Sequence, residues 1–173
     1  MAMTLITTNT LSNATNSSFT SGIDSTYKLY IFKFINLNPA TNSTNLFLQA
    51  NVAGQSGFNE TMTTSVFRIF MTEANSSGLE YADYDRASST LYQYLTAATG
   101  NDSDESCSGT MWLFNPSDTT YVKHFYATVH TVQDGSNTHY TSGYFNVTGA
   151  IDEIDFKMEA GNFDGVITMY GVS

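Results

Sequence analysis

The segment STYKLYIFKFINL, residues 25–37, constrains the fold most strongly because it is apolar on both sides of a strand. Successive side chains of a strand point to opposite faces, so a half-buried strand alternates apolar and polar residues. Here one set contains Leu29, Ile31 and Leu37, and the other contains Tyr30, Phe32 and Phe34. Residues 67–71 and 111–114 repeat this pattern. The sequence therefore predicts strands that are covered on both faces.

The rest of the chain reads as short strands separated by turn residues, which is typical of an antiparallel β-sandwich. Residues 46–52 and 151–158 alternate cleanly, with Ile154, Phe156 and Met158 on one face. Residues 88–100 differ, because four apolar residues recur at helical spacing between a capping serine and a terminal glycine. These four are Leu91, Tyr94, Leu95 and Ala98. The predicted fold is all-β, a two-sheet antiparallel sandwich with one short helix in a loop excursion.

The predicted domain organisation has two parts. Residues 1–20 are rich in Thr, Asn and Ser and are interpreted as an amino-terminal arm that orders against a neighbour. Residues 21–173 form the sandwich. The amino terminus lacks a basic region and a long apolar run, so we expect synthesis in a host cytoplasm without export by the usual route.

Charge excludes two classes of partner. The chain has 6 Lys and Arg against 16 Asp and Glu, for a net charge of −10. Phosphate backbones and anionic lipid surfaces both require clustered cations, so neither a nucleic acid nor a membrane is an expected partner. Charged residues are only 13% of the chain and aromatic residues 14%. A surface this poor in charge favours a protein that packs among neighbours.

No residue pattern predicts catalysis, a cofactor or a metal. His124 and His130 share a face of one predicted strand but lack a third ligand. The loop of Asp102, Asp104 and Glu105 is rich in oxygen, but Cys107 stands where a calcium loop of the EF-hand type needs glycine. A solvated loop is favoured there, and calcium stays the alternative. The single cysteine excludes an intrachain disulfide. The sequence favours a non-enzymatic role.

Strands that are apolar on both faces predict an interface, because a two-layer sandwich buries only the inner face of each sheet. The outer faces are expected to contact further copies of the chain, giving a homo-oligomer, with a trimer favoured. The residues assigned to this interface are Tyr30, Phe32, Phe34, Phe67, Ile69 and Trp112.

Four segments resemble one family of proteins. They are FTSGIDSTYKLYIFKFINLNPAT, ETMTTSVFR, SGTMWLFNPSDTTYVKHFYAT and the closing IDEIDFKMEAGNFDGVITMYGVS, and the similarity runs from about Phe19 to Ser173, most of the chain. They are similar to small structural proteins of marine tailed bacteriophages. The resemblance implies a jelly roll in a virion and brings no catalytic or binding residue with it.

Two virion locations follow from the resemblance. A capsid decoration or cement protein would contact other virion proteins such as the major capsid protein, and the arm would lie across a neighbour. A tail or fibre protein would bind host glycans, for which the loop Tyr81–Arg86 offers aromatic rings and carboxylates. The absence of a shaft segment favours decoration. A free carbohydrate-binding or hydrolytic protein is a minor third possibility.

Overall fold

The computed structural model describes residues 2–81 and 83–173, and these ranges contain twelve β-strands and no α-helix. The strands form an eight-stranded and a four-stranded sheet, here the large and the small sheet, and all pairings between strands are antiparallel. The bounds are β1 Met3–Ala14, β2 Ser17–Phe19, β3 Leu29–Pro39, β4 Leu46–Val52, β5 Met62–Thr72, β6 Ser77–Tyr81, β7 Gln93–Tyr94, β8 Cys107–Phe114, β9 Lys123–Val132, β10 Gly135–Phe145, β11 Ile151–Met158 and β12 Phe163–Val172. The prediction of an all-β, two-sheet antiparallel sandwich is confirmed. In the part of the chain that the structure describes, no helix is long and apolar enough to cross a membrane.

The chain passes repeatedly from one sheet to the other. The large sheet has the order β1-β12-β3-β8-β9-β10-β5-β6, and the small sheet has the order β2-β11-β4-β7. Among strands β1, β2, β3, β4, β7, β8, β11 and β12, the chain changes sheet at every step except from β4 to β7, which are neighbours in the small sheet. The remaining strands β9, β10, β5 and β6 extend the large sheet on one side.

Aromatic rings fill the space between the sheets. Phe156 of the small sheet contacts Phe32 and Phe34 of β3, with ring centroids 5.4 and 5.0 Å apart and edge-to-face geometry. Phe19 of β2 completes the cluster at 5.3 Å from Phe32. All four side chains are at most 2% exposed. Edge-to-face pairs add to the free energy of burying these rings, so this cluster stabilises the packing of one sheet on the other.

The predicted helix over residues 88–100 is wrong. The segment is extended: β7 pairs with β4, the amide of Leu95 donates to the carbonyl of Leu46, and Thr99 forms an isolated bridge with Thr44. Ala98 has a φ of +54°, which no α-helix contains. The edge of β4 offers unpaired backbone groups, and pairing with them outweighs the weak helical spacing of four apolar residues.

The arm is predicted over residues 1–20, and its described part, residues 2–20, lies along the sandwich of its own chain. Strand β1 pairs with β12 at the edge of the large sheet, and β2 pairs with β11 in the small sheet. Ile6 and Leu11 pack against the core from β1. A bulge between Leu5 and Thr7 leaves Leu5 directed outward and Ile6 inward.

The segment 84–99 covers the inner side of the extension formed by β9, β10, β5 and β6. Thr64 of β5 donates its hydroxyl to Gln93 at 2.6 Å, and the amide of Val66 donates to Asp85 at 2.6 Å. His139 of β10 accepts a hydrogen bond from the amide of Ala97 at 3.2 Å. This loop therefore backs part of the extension through polar contacts, while Met62, Phe125 and Phe145 of the extension join the hydrophobic core cluster.

Candidate functional site

The outer face of the large sheet carries a continuous apolar and aromatic surface. Cross-strand partners share a face, and Trp112 lies opposite Ile31 on one side and Tyr126 on the other. Tyr140 lies opposite Phe67, which in turn lies opposite Tyr81. We call the following outward side chains the aromatic face: Ile31, Trp112, Phe114, Tyr126, Tyr140, Phe67, Ile69, Leu79 and Tyr81.

The rings of the aromatic face are ordered in two groups. Tyr126 is stacked on Trp112 with ring centroids 4.5 Å apart, and it is near-parallel to Phe114 at 5.6 Å. Phe67 is stacked on Tyr140 at 4.8 Å with planes inclined by 12°. Phe67 and Tyr126 remain 44% and 42% exposed despite these contacts. Stacked rings on a sheet are rigid, so a partner binding here orders few side chains.

Charge is almost absent from this face. In the described strands, the cross-strand rows through Trp112, Phe67 and Ile69 contain one formally charged residue, Lys33. Its ammonium group lies 5.6 Å from the centre of the Tyr170 ring. The whole chain carries a net charge of −10, so its acidic residues lie elsewhere on the molecule. An apolar, uncharged patch on a strongly acidic protein has the composition of an interface core.

A shallow groove of about 430 Å³ crosses the aromatic face. Its floor is formed by small residues of β5 and β10, where the hydroxyl oxygens of Ser65 and Ser142 are 3.1 Å apart. Phe114 and Tyr126 line one side. A second hollow of about 310 Å³ lies between Tyr126, Phe67 and Tyr140 and shares Ser142 with the first. Hydroxyl groups flanked by aromatic rings can contact another protein or a sugar.

The structure divides the six predicted interface residues into two groups. Phe67, Ile69 and the half-buried Trp112 lie on the aromatic face. Tyr30, Phe32 and Phe34 do not: they lie in the core and are at most 2% exposed. Their assignment to an interface is wrong because the small sheet covers this side of β3. The hydroxyl of buried Tyr30 is satisfied by the backbone of Asp24.

The outer face of the small sheet is polar instead. Asp155 of β11 accepts hydrogen bonds from Ser18 at 2.6 Å, Asn16 at 2.9 Å and Tyr92 at 2.9 Å. Burial, with Asp155 beside it, raises the pKa of Tyr92. The ammonium group of Lys157 lies 4.0 Å from the centre of the Tyr92 ring. These contacts fix the segment before β7 onto the small sheet.

The loop Tyr81–Arg86, considered above for glycans, uses most of its polar groups internally. Asp85 accepts hydrogen bonds from the hydroxyl of Tyr81 and from the amide of Val66. The guanidinium group of Arg86 donates to the carbonyl of Tyr92 and lies 4.7 Å from the centre of the Tyr94 ring. The Tyr84 ring packs against Tyr94. Groups that are committed to the fold in this way are poor candidates for sugar recognition.

The candidate metal ligands do not converge. Among residues 2–81 and 83–173, no group of three or more His, Cys, Asp or Glu side chains is arranged to hold a metal ion. In the acidic loop, Glu105 accepts hydrogen bonds from the amides of Asp102 at 3.1 Å and Asp134 at 3.3 Å. His130 is hydrogen-bonded to Ser136 at 3.0 Å. These side chains stabilise turns and strand ends.

Two buried ionisable groups were not singled out from the sequence. Lys123 is fully buried and donates to the carbonyls of Tyr121, Val147 and Thr148 at 2.7, 3.3 and 3.2 Å. Burial lowers its pKa, and Asp118 partly opposes this. Burial, and then the charge of Arg68, lower the pKa of His139 to about 4. Neither residue lies on the aromatic face.

The sequence analysis also missed Tyr126 and Tyr140. A signal was present, because Phe125, Ala127 and Val129 alternate with Tyr126 along β9. The first three are buried in the core, so a tyrosine between them must point outward. The same alternation applied to β10 directs Tyr140 outward beside it.

Comparison with known proteins identifies no family. No family model matches the chain, and no curated protein matches it. Among solved structures, that of infectious bursal disease virus, Gt strain, is 9% identical with a TM-score of 0.21, and the alignment covers 95% of this chain and 32% of that one. Scytalido-glutamic peptidase, solved with a peptide-based transition state analogue, is 12% identical with a TM-score of 0.20, with coverages of 82% and 72%. The chain spans about a third of the viral chain. Likenesses this slight indicate neither a family nor an activity.

Proposed function

We propose that this chain is a bacteriophage virion structural protein that acts through contacts between subunits, as a capsid decoration or cement protein. The proposal combines the sequence resemblance to small structural proteins of marine tailed bacteriophages with the chemistry of the aromatic face. It assigns no catalytic residue, cofactor, nucleic acid or membrane to the protein. The site of action would be the virion, after synthesis in the host cytoplasm.

We further propose that the sandwich is a jelly roll. Eight strands form two four-stranded groups in the orders β1-β12-β3-β8 and β2-β11-β4-β7, and the chain alternates between the groups except from β4 to β7. Such alternation, with the first and last strands adjacent, is what two interleaved Greek keys produce. Under this interpretation β5-β6 and β9-β10 are insertions that widen one sheet.

The aromatic face is the observation that carries the functional proposal. Interface cores are enriched in aromatic residues and depleted of charge, and this face combines stacked rings with the single cation Lys33. In water, exposed rings cost free energy that burial against a partner would recover at about 25 cal/mol per Å². We expect the face to contact other copies of the chain in a homo-oligomer, with a trimer favoured, and to contact the major capsid protein where the oligomer sits on a shell.

The first experiment measures copy number in purified particles. Quantitative mass spectrometry would compare this chain with the major capsid protein. A ratio within a few-fold of the capsid protein is expected for decoration. A far lower ratio would move the protein to the tail or a fibre, and absence from particles would refute the virion proposal.

A substitution tests whether the aromatic face is the contact. Tyr126→Asp places a charge beside Trp112 without entering the core, because Tyr126 is 42% exposed. We expect this variant to fold but to lose self-association and capsid binding. Leu91→Asp is the matched control, since Leu91 is 64% exposed on the segment before β7. Equal association of the two variants and the wild type would contradict the proposal.

The groove over Ser65 and Ser142 favours one alternative, a tail or fibre protein that binds host glycans. Its hydroxyl-bearing floor and aromatic side walls are suited to sugar hydroxyls and to the apolar faces of sugar rings. A glycan array probed with the wild type and with Ser142→Trp tests this alternative. Binding by the wild type that the tryptophan abolishes would support the fibre role, and an array without signal would favour decoration.

A further inference from the structure

The free edge of β1 is a second candidate contact surface. The contacts proposed above use the aromatic face and leave this edge free. Strand β1 is the terminal strand of the large sheet, and among the described residues its one partner strand is β12. An antiparallel edge strand directs the N–H and C=O groups of every second residue away from its sheet. Between the irregularities at Leu5/Thr7 and Leu11/Ala14, residues 7–11 pair regularly with β12, so their outward N–H and C=O groups form a row of donors and acceptors along the free edge.

The β1 edge lacks two features with which proteins prevent strand addition, charge and proline, and its irregularities at Leu5/Thr7 and Leu11/Ala14 leave a regular segment over residues 7–11. Residues 2–20 contain no charged residue and no proline. The opposite edge of the same sheet contrasts with it: β6 has five residues, and its Glu80 is paired with Arg68 at 2.7 Å. Short length and charge protect an edge from pairing, whereas a long uncharged strand is a template for it.

We propose that β1 pairs antiparallel with β1 of a second copy about a twofold axis, joining two large sheets into one continuous sheet. Identical edges are self-complementary under a twofold rotation, because each supplies the donors that the other's acceptors need. Such pairing is a recognised mode of protein recognition, in which backbone groups provide the contact.

Charge favours a second copy as the occupant. Two molecules that each carry a net charge of −10 repel one another, so they approach most easily where both are uncharged. The β1 edge is such a place: two β1 strands place no like charges opposite each other in any register.

Continuity with the aromatic face points the same way. The cross-strand row from Trp112 passes through Ile31 and Tyr170 to Leu5 on β1. Leu5 is 53% exposed at this edge. Pairing of two β1 strands would bring the ends of two such rows together and extend the apolar surface across both copies.

Analytical ultracentrifugation of the full chain over a range of micromolar concentrations tests the edge contact with the variant Thr8→Lys/Thr10→Lys. Both threonines are exposed and point outward from β1, so the lysines leave the pairing with β12 intact. In a twofold pair the lysines of both copies would lie close together on one face of the joined sheet and repel one another, and the expected result is at least a tenfold weaker dimerisation at this edge. Ser77→Lys on β6 is the matched control and should associate as the wild type does.

Cross-linking gives an independent measurement. The single-substitution variants Thr4→Cys, Thr8→Cys and Thr10→Cys are each oxidised mildly. The variant whose cysteine lies nearest the twofold axis should form a disulfide-linked dimer. The native Cys107 does not compete because it is fully buried. Ser77→Cys at the β6 edge, outside the aromatic face, is the control and should stay monomeric on denaturing gels.

The outcomes separate this inference from the proposed function. Loss of association in Tyr126→Asp, together with unchanged association in Thr8→Lys/Thr10→Lys, would leave the aromatic face as the contact and overturn the β1 pairing. Unchanged association in Tyr126→Asp, together with weaker association in Thr8→Lys/Thr10→Lys, would support the β1 pairing and contradict the proposal that the aromatic face is a contact. A wild type that is monomeric throughout the concentration range, without disulfide-linked dimers in the cysteine variants, would also overturn the β1 pairing.

Discussion

Acidification from pH 6.5 to pH 4 should destabilise this protein through one residue, His139. Its side chain is 1% exposed, and its Nε2 accepts a hydrogen bond from the amide of Ala97 at 3.2 Å, which requires the neutral ring. Arg68 lies directly opposite on β5, and its charge is partly balanced by Glu80 at 2.7 Å. Tyr84 packs against the ring with centroids 6.2 Å apart. A proton on His139 would thus be buried beside a cation and would break the bond to Ala97.

The magnitude follows from the pKa. Burial and Arg68 lower the pKa of His139 from 6.5 to about 4. Below pH 6.5, His139 is protonated in the unfolded chain but stays largely neutral in the folded chain down to about pH 4. The free energy of unfolding therefore falls with decreasing pH. The part of the free energy of unfolding that depends on a neutral His139 is fully present above pH 6.5 and is largely lost by pH 4. A difference of about 2.5 pH units at 1.36 kcal/mol each gives a loss of about 3 kcal/mol.

The assay is urea unfolding followed by fluorescence of Trp112, the single tryptophan, at intervals between pH 4 and pH 7.5. His139→Gln is the comparison variant, because an amide oxygen can accept from Ala97 without titrating. We expect the wild type to lose about 3 kcal/mol relative to the variant over this interval. Parallel stability curves for the two proteins, or a His139 pKa near 6.5 measured by NMR, would refute the reasoning.

Three further predictions concern packing. Phe156→Ala should lower the free energy of unfolding by about 3–5 kcal/mol, because it opens a cavity between the sheets, whereas Phe67→Ala on the aromatic face should lower it by less than about 1 kcal/mol. Urea denaturation measures both changes, and equal losses would contradict the assignment of the two residues to different faces. Burial raises the pKa of Cys107 to about 12, so its reaction with a thiol reagent at pH 8 should be about a thousandfold slower in the native protein than in urea, and a rapid native reaction would contradict this burial. Gly109→Ala would place a Cβ 2.4 Å from the carbonyl oxygen of Thr128 on the neighbouring strand, so it should destabilise the fold by about 1–3 kcal/mol, and an unchanged melting temperature would contradict the close approach.

Periodicity predicted the strands well where one face is polar. In β11, Ile154, Phe156 and Met158 are buried as the alternation indicates, and in β4 the same is true of Leu46 and Leu48. Each of these strands has a polar set that identifies the outer face. The local pattern was therefore sufficient to predict which side chains are buried, because only one of the two alternating sets is apolar.

Periodicity failed where both sets are apolar. In β3 the sets of Phe32 and Ile31 have similar hydrophobicity, so the sequence predicts two covered faces without saying which one the small sheet covers. That choice depends on Phe156 and Phe19, which come from distant parts of the chain. The prediction of a helix over residues 88–100 was wrong for a related reason. Pairing of this segment with β4 is a tertiary contact, which a local sequence pattern does not contain.

The extension of the large sheet links the fold to the proposed contacts. Most of the core cluster comes from the strands outside this extension, which contributes Met62, Phe125, Ala127, Val129 and Phe145. Its inner side also makes polar contacts through Thr64, Val66 and His139. Its outer side, however, carries Tyr126, Tyr140, Phe67, Ile69, Leu79 and Tyr81. Ordering these strands costs conformational entropy, and burial of their outer side chains against a partner would offset that cost. We therefore expect the extension to gain the most protection from hydrogen exchange when the protein assembles, with β4 and β11 unchanged, and uniform protection across both sheets would contradict this account.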